Sequence, residues 1–391
     1  MPHHLLRVIH SLDPAAGGPV AVVRQTARLM AQHGVHTTAV SLDAADAPFL
    51  GGEPQDGLVC LGIGPGRGTY GYVRGAAARL AQLASEADAV IIDGIWQYHS
   101  LATWRAIKQL GSAAPPYWVY PHGMLDPWFR YTYPRKHLKK WLYWPWADYR
   151  VLRDAQAVLY TLEQERRLAR ESFWLYDAQE RVVPFGIEQP QGDPPSQRQS
   201  FLEAFPALAG RRLLLSLARL HEKKGLDLLI QAFAAEAADH PEINLMLAGS
   251  EDGFGQALQQ LVDQLGLADR VHFPGLLRGD LKWGALHACE LFCLPSHQEN
   301  FGLAVVEAMA CQRPVLISTA INLAEEVRQA GAGLVQSDTL AETRAALSQW
   351  LRLMPPERQA MGERGQALFA RRFRLDSGVD ELLDVLSFTG S

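Results

Sequence analysis

Short apolar runs alternate along the chain with longer stretches in which apolar residues recur every three or four positions. In the first half, runs at residues 5–12, Ala89–Asp93 and Tyr117–Tyr120 are separated by periodic stretches such as residues 20–33. A short apolar run predicts a buried strand, and a period of 3.6 predicts a helix. The alternation therefore predicts parallel sheets that are covered by helices.

A second series of the same kind follows residues 182–195, where the composition shifts to Pro, Gly, Asp and Gln. Its first strand is predicted at Arg212–Leu217, and Ile243–Ala248 is another. A chain of 391 residues is long enough for two or three domains. We expect an N-terminal domain at residues 1–184 and a C-terminal domain at residues 185–374. We expect the segment 375–391 to form a helix that packs back on the first domain.

The charge and cysteine content narrow the class of protein. The chain has 42 acidic and 37 basic residues, a net charge of −5, which argues against a nucleic-acid-binding surface. Four cysteines form no CxxC pair and predict neither a disulfide framework nor a metal site. Because Arg7 and His10 interrupt the first apolar run and no apolar stretch reaches about 20 residues, we expect a cytoplasmic protein.

Residues 128–150 stand apart from the rest of the chain. They hold six Lys or Arg side chains, one acid and nine aromatic residues, a net charge of +5 that leaves −10 for the remainder. Aromatic rings among cations suit a bilayer interface, with Arg135, Lys136, Lys139 and Lys140 meeting anionic headgroups. The alternative is a helix whose aromatic face packs on the core and whose basic face is solvated.

Three glycine-containing loops follow predicted strands in the first half. Ligands of parallel sheets bind at the carboxyl ends of strands, where Gly17-Gly18 and His122-Gly123 are expected. Paired glycines before a helix favour an anion, although a plain turn is the alternative. His122 is placed to exchange a hydrogen bond with a ligand, or is a structural histidine. A GxGxxG at residues 66–71 predicts a long loop rather than a dinucleotide site, because it starts three residues past its strand.

The second half carries the strongest candidate site. The strand Arg212–Leu217 leads to Arg219 and Lys224, which supply a guanidinium fork and a point charge for a diphosphate. A later apolar run leads to Glu299, Gly302 and Glu307, in which a carboxylate stands on each side of a helix start. Such a constellation suits a sugar and a ribose held around one diphosphate.

At these residues the chain resembles the family-four glycosyltransferases of the GT-B fold. The resemblance rests on a Glu-x7-Glu element within Pro-Ser-x-x-Glu-x-Phe-Gly-Leu-x-x-x-Glu-Ala-Met-Ala and on Ala-Arg-Leu-x-x-x-Lys-Gly. Leu-Ala-Gly at residues 247–249 and Val-His-Phe-Pro-Gly at residues 271–275 extend it over most of the chain. Ala218 and Gln312-Arg313 depart from the family pattern, the second near the loop expected beneath the donor.

The resemblance implies two Rossmann-like domains facing a central cleft, and a retaining transferase that needs no metal or other cofactor. It implies catalytic roles for Arg219, Lys224, Glu299 and His122, with Glu299 on the sugar hydroxyls and Glu307 on the ribose. The remaining donor-binding residues that it implies are Gly17, Gly18, Gly249, Leu276, Leu277, Asn300, Phe301, Gly302 and Leu303.

We therefore expect a hexose to pass from a UDP- or GDP-sugar, with a UDP-hexose favoured, to a glycan or lipid-linked acceptor in polysaccharide biosynthesis. One alternative is a nucleotide-sugar epimerase of the same fold, which would convert the donor without an acceptor. Another is a non-catalytic scaffold of a polysaccharide assembly complex, which would bind no nucleotide sugar. A dehydrogenase would require nicotinamide binding at residues 66–71.

Overall fold

The computed structural model describes residues 3–16, 18–51 and 57–388, and it divides into two compact units. The first unit comprises Met1–Gly186 together with Leu375–Ser391, and the second comprises Ile187–Arg374. Each unit is built on its own parallel sheet. This architecture confirms the predicted α/β fold class with two Rossmann-like domains.

The strands and helices of the described residues alternate through both units. The strands are β1 (His3–Ile9), β2 (Val35–Ala44), β3 (Leu58–Gly64), β4 (Ala89–Asp93), β5 (Tyr117–Tyr120), β6 (Ala157–Tyr160), β7 (Glu180–Val182), β8 (Arg212–Leu217), β9 (Ile243–Ala248), β10 (Val271–His272), β11 (Leu291–Leu294), β12 (Val315–Ser318) and β13 (Gly333–Gln336). The helices are α1 (Gly18–Gln32), α2 (Ala76–Ala84), α3 (Tyr98–Leu110), α4 (Trp128–Thr132), α5 (Pro134–Tyr143), α6 (Asp148–Arg153), α7 (Glu163–Ser172), α8 (Pro194–Ala204), α9 (Leu226–Glu236), α10 (Gly255–Gln264), α11 (Gly279–Ala288), α12 (Leu303–Ala310), α13 (Ala324–Ala330), α14 (Leu340–Arg352), α15 (Pro355–Arg372) and α16 (Leu375–Leu386).

The first unit contains a seven-stranded sheet with strand order β3-β2-β1-β4-β5-β6-β7. Its central strands β4, β5 and β6 are buried along their whole length because helices cover both faces. The last helix, α16, belongs to this unit and packs against α1, burying Val379, Leu382 and Leu383.

The second unit contains a six-stranded sheet with order β10-β9-β8-β11-β12-β13. Counted from β8, this is the doubly wound order 3-2-1-4-5-6. The order in which strands are added reverses between β8 and β11, as it does in the first sheet between β1 and β4. Loops leaving the two strands at such a point diverge and open a crevice at their carboxyl ends. The fold thus defines one candidate binding crevice in each unit.

Two proline residues divide the basic and aromatic segment 128–150. Pro134 begins α5, and Pro145 lies in a short 3₁₀ turn between α5 and α6. Proline fixes φ and lacks an N–H, so it begins helices and interrupts them. The segment therefore forms short helices rather than the single helix of the packing alternative. Trp144 is fully buried, whereas no side chain of α5 is buried.

Candidate active site

Buried charged side chains meet at the crevice of the first unit. Asp93 is the last residue of β4, and its carboxylate accepts hydrogen bonds from Arg7 Nε at 2.9 Å and Arg7 Nη2 at 2.6 Å. It also accepts a hydrogen bond from His122 Nε2 at 2.9 Å. Burial alone would raise the pKa of Asp93, but the Arg7 guanidinium and the His122 ring together outweigh burial and lower the pKa to about 2. The carboxylate therefore stays ionised and accepts the hydrogen bond from His122 Nε2–H; in the neutral ring Nδ1 is then the acceptor nitrogen.

The backbone of His122 adopts an unusual conformation. His122 follows β5 with φ of +51°, in the left-handed region that few non-glycine residues occupy. Its ring stacks on Tyr120, with centroids 5.7 Å apart, and makes a tilted contact with Phe185, with centroids 5.4 Å apart. The next N–H, of Gly123, donates to buried Glu165 at 2.7 Å. Several contacts thus hold a strained residue in place at a strand end, as is common for functional positions.

The other predicted residues of the first unit are only partly described. Gly18 begins α1, and Gly17 lies outside the described residues. His99, which the sequence did not single out as a site residue, is fully buried beside the Asp93 backbone. Its Nε2 lies 3.0 Å from the Asp93 carbonyl oxygen and 3.1 Å from that of Gly94, and burial lowers its pKa to about 4. His99 is therefore a neutral donor that fixes the end of β4.

An ion pair occupies the crevice of the second unit. Lys224, in the loop after β8, donates to the Glu299 carboxylate in the loop after β11. Burial alone would raise the pKa of Glu299, but Lys224 and the nearby cations Lys223 and Arg219 together outweigh burial, so the pKa lies below its ordinary value. The loops after β8 and β11 thus bring a predicted cation into contact with a predicted anion that is 75 positions away in the sequence.

Backbone hydrogen bonds hold the Glu299 loop against the loop after β12. The Glu299 N–H donates to the Ala320 carbonyl oxygen at 3.1 Å, and its own carbonyl accepts from the Asn322 N–H at 3.1 Å. The Asn322 side chain also donates to Asn300 Oδ1 at 3.0 Å. Asn300 therefore supports the loop.

Helix α12 starts directly behind this ion pair. Gly302 precedes it with φ of +73°, a conformation that suits glycine, while Phe301 is buried and Leu303 is half-buried. The first N–H groups of an α-helix have no carbonyl partner within the helix, so its start favours an anion. The start of α12 and the Lys224 ammonium thus provide positive charge on one side of the crevice.

Arg219 and Glu307 each have a partner of their own. The Arg219 guanidinium, which is more than half exposed, pairs with Asp252 rather than with Glu299. The Glu307 carboxylate, on α12, accepts from Lys282 Nζ at 2.8 Å. Both pairs are partly open to solvent, where ion pairs contribute little to stability. The contact that a ligand would have to replace at either residue is therefore weak.

The remaining donor-binding candidates lie in the loops after β9 and β10. Gly249 lies directly beneath the Ala218 carbonyl oxygen, where any Cβ atom would clash with backbone. It thus lets the loops after β8 and β9 approach each other closely. Leu276 exposes 54% of its surface, whereas Leu277 is buried, so of these two predicted residues only Leu276 has an open face.

The four cations predicted to meet lipid headgroups do not share one environment. Arg135, Lys136 and Lys139 are exposed on α5. Lys140 differs from the expectation, because its ammonium lies 4.7 Å from the Trp96 ring centroid and is half-buried. Burial lowers the pKa of Lys140 to about 8. Lys140 therefore anchors α5 to the unit instead of facing solvent.

Metal-binding clusters and membrane-spanning helices are both absent from the part of the chain that the structure describes. Within residues 3–16, 18–51 and 57–388, no three His, Cys, Asp or Glu side chains are grouped to hold a metal ion. None of the helices described there has the length and apolar character needed to span a bilayer.

Family models match the chain in two adjoining regions. Residues 17–186 match a glycosyl transferase 4-like domain, and residues 198–368 match the group 1 glycosyl transferases. Among curated proteins, D-inositol 3-phosphate glycosyltransferase of Mycobacterium marinum is 32% identical over 48% of this chain. The protein of that name from Acidothermus cellulolyticus is 31% identical over 56% of the chain. The alignments span 41% and 50% of these relatives' own lengths.

Solved structures share the fold over nearly the whole chain. Sucrose-phosphate synthase of Thermosynechococcus elongatus has a TM-score of 0.76 at 20% identity, with 99% of each chain covered. HepE of Anabaena, solved in complex with UDP and glucose, has a TM-score of 0.77 at 20% identity, covering 99% of this chain and all of HepE. Since the two family models together account for most of the sequence and the structural neighbours carry the same fold, the chain belongs to the family-four glycosyltransferases of the GT-B fold.

Proposed function

We propose that the protein transfers a hexose from a nucleotide-diphospho-sugar to a saccharide acceptor, with the donor bound by the second unit. The observation that supports this most is the Lys224–Glu299 pair beside the start of α12, at the carboxyl ends of β8 and β11. One cation, one carboxylate and a helix start match the diphosphate and hydroxyl groups of such a donor. UDP-glucose is the favoured donor, because HepE has also been solved with UDP-glucose bound.

The proposed chemistry places opposite charges at the two ends of the breaking bond. Cleavage of the anomeric C–O bond leaves negative charge on the β-phosphate and positive character on the sugar ring. Lys224, Arg219 and the α12 start stabilise the phosphate charge without a metal, and Glu299 orients sugar hydroxyls. We propose retention of the anomeric configuration, by resemblance to the family.

The first unit supplies the acceptor side in this proposal. His122, with its proton held on Nε2 by Asp93, presents Nδ1 as an acceptor for a hydroxyl group. The acceptor we propose is a glycan or a lipid-linked saccharide of polysaccharide or exopolysaccharide assembly. The protein would act in the cytoplasm, peripherally on the inner face of the membrane.

Thermal unfolding with a panel of nucleotides and nucleotide sugars tests donor binding. A ligand at about 100 times its Kd is expected to add roughly 2.7 kcal/mol to the stability of the folded state. We expect the largest shift with UDP-hexoses. Absence of any shift would favour the scaffold alternative, and conversion of the donor sugar without acceptor would favour the epimerase alternative.

Glu307→Gln is expected to weaken binding of free UDP by about 10- to 100-fold, because a hydrogen bond to a charged group contributes roughly 1.5–3 kcal/mol. The ribose does not change during transfer, so the loss should appear in donor affinity rather than in turnover. Calorimetric titration with UDP measures it. Glu325→Gln, which removes an exposed carboxylate of the same unit, is the matched control. Unaltered affinity in Glu307→Gln would remove Glu307 from the ribose.

A further inference from the structure

Exposed apolar side chains are concentrated in one part of the first unit. Of twelve large apolar side chains exposed within the described residues, seven lie between residues 131 and 175. Three of them, Leu138, Trp141 and Leu142, are on α5 and expose 59, 42 and 61% of their surface. Single exposed apolar residues are normal on a monomer, whereas a contiguous group indicates an interaction site.

The exposed apolar residues are contiguous. Leu138, Trp141 and Leu142 stand at spacings of three and four on α5, so they share one face of the helix. The Trp141 ring packs against Trp174, with centroids 5.5 Å apart, and these two residues help to line a groove of about 800 Å³. We define the α5 surface by six residues: Tyr131, Leu138, Trp141, Leu142, Trp174 and Leu175.

Basic side chains border the α5 surface. Arg135 and Lys139, one helical turn apart, are exposed beside Leu138 and Leu142, and Lys136 is exposed on the same helix. Arg130 lines the groove, as does one acid, Glu171. The segment 128–150 has a net charge of +5, while the rest of the chain has a net charge of −10. The surface thus combines apolar residues with a local positive charge that opposes the charge of the whole protein.

Helix α5 is attached to the unit by its inner side. The Lys140 ammonium lies 4.7 Å from the Trp96 ring centroid and 5.3 Å from that of Phe129. The Tyr143 hydroxyl forms a hydrogen bond with that of Tyr70. These contacts fix α5 in place and leave its Leu138 and Leu142 side outward.

We infer that the α5 surface docks onto an anionic lipid bilayer, with its Leu and Trp side chains at headgroup level and Arg135, Lys136 and Lys139 on lipid phosphates. Tryptophan, leucine and cations mixed on one helix match the chemistry of that interface. The core of a protein–protein interface is instead depleted of lysine. The inference rests on the proposed function, because a bilayer would also carry the lipid-linked acceptor.

Co-sedimentation with vesicles tests the docking. The full chain is mixed with vesicles of phosphatidylcholine alone, or of phosphatidylcholine and phosphatidylglycerol. We expect binding to the anionic vesicles only, weakening as salt is raised. Vesicles with brominated acyl chains should quench tryptophan fluorescence, since Trp141 and Trp174 would reach the bilayer boundary. Binding that ignores lipid charge, or no binding at low salt, would overturn the inference.

Two variants separate the basic and apolar parts of the surface. Arg135→Gln/Lys136→Gln/Lys139→Gln is expected to weaken partitioning by about 100-fold, since one cation near an anionic surface contributes about fivefold, or ~1 kcal/mol. Leu138→Gln/Leu142→Gln should weaken partitioning and reduce quenching. The matched controls, on the second unit, are Arg198→Gln/Arg211→Gln/Arg352→Gln and Leu265→Gln/Met354→Gln, whose native residues are all exposed. Equal binding by surface and control variants would contradict the proposed surface.

Further measurements on the same proteins separate the possible causes of failure. If Leu138→Gln/Leu142→Gln abolishes a dimer seen by analytical ultracentrifugation and leaves vesicle binding intact, the surface joins two copies and the lipid inference is wrong. UDP binding is measured alongside. If the full chain binds UDP but not anionic vesicles, the docking inference alone is overturned. If it binds the vesicles but not UDP, the proposed donor site alone is overturned.

Discussion

Lys224→Met is expected to lower turnover by about 100- to 1,000-fold, the loss that follows removal of one group stabilising charge in a transition state, roughly 3–4 kcal/mol. The Lys224 ammonium touches Glu299 at the crevice of the second unit, beside the start of α12. In the proposed reaction, negative charge grows on the β-phosphate there as the anomeric bond breaks. The loss should therefore appear mainly in kcat, measured as UDP release with the donor that gives the largest thermal shift.

The neighbouring lysine provides the control for this prediction. Lys223 lies in the same loop but donates to Gln298 at 3.0 Å, so Lys223→Met should keep most of the turnover. The double variant Lys224→Met/Glu299→Gln tests the ion pair, because the two losses should not add if the residues act as a unit. Near-parental turnover in folded Lys224→Met protein would show that the diphosphate is bound elsewhere.

Arg219→Ala is expected to lower turnover by about 100- to 1,000-fold, as Lys224→Met does, because Arg219 also stabilises the negative charge on the β-phosphate in the proposed reaction. Its guanidinium is exposed and pairs with Asp252, so the substitution should leave the stability of the unit nearly unchanged. Thermal unfolding of the variant checks the stability, and steady-state kinetics checks the turnover. Parental kcat in Arg219→Ala would assign Arg219 to its pair with Asp252 alone.

The apolar pattern was sufficient to predict much of the fold. The predicted bounds of β4, β5, β8 and β9 agree with the structure because each is an apolar run ended by polar or turn residues. The strands β12 and β13 were not predicted. β13 begins with a glycine and buries only Leu334, so pairing with β12, rather than local pattern, makes it a strand. β12 is a buried apolar run of four residues, like β5, and it was missed although its pattern was present.

The parts of the candidate site that lie close together in the sequence could be predicted. Contacts between residues that are far apart in the sequence could not. Glu299, Gly302 and Glu307 are close in sequence, so their pattern was visible. The contact between Arg7 and Asp93 joins residues 86 positions apart. One signal was present: an arginine within an apolar strand is almost never buried without a partner. That signal indicates that a buried Arg7 needs an anion, but only the pairing of β1 with β4 identifies the anion as Asp93.

Asp93→Asn is expected to destabilise the first unit by about 3–5 kcal/mol, because it leaves the Arg7 guanidinium buried without its counter-charge. Both side chains of this pair are almost completely inaccessible to solvent. Chemical denaturation followed at neutral pH measures the loss. Asp88→Asn, which removes an exposed carboxylate just before β4, is the control and should cost less than about 1 kcal/mol. A comparable loss in both variants would contradict a special role for the buried pair.

The same pair predicts how the stability of the parent protein depends on acid. The pKa of Asp93 is about 2 in the folded chain against an ordinary value of 3.8, so the folded state favours the ionised carboxylate. This contribution, about 2 kcal/mol, is complete above pH 4 and is lost as the pH falls towards 2. Asp93→Asn should lack this part of the acid dependence. The difference in unfolding free energy between the two proteins should therefore shrink over that interval, and a constant difference would contradict the ionised state of Asp93.

A hydrophobic replacement of the pair separates stability from the positioning of His122. Arg7→Met/Asp93→Leu removes both buried charges, and such replacements are often neutral in stability when the volume is kept. The variant should therefore recover much of the stability lost in Asp93→Asn. Its turnover should nevertheless lie below that of the parent protein, because the His122 Nε2–H no longer has a carboxylate acceptor to hold Nδ1 towards the acceptor hydroxyl. If turnover returned together with stability, Asp93 would serve the fold alone and His122 would need no partner for its proposed role.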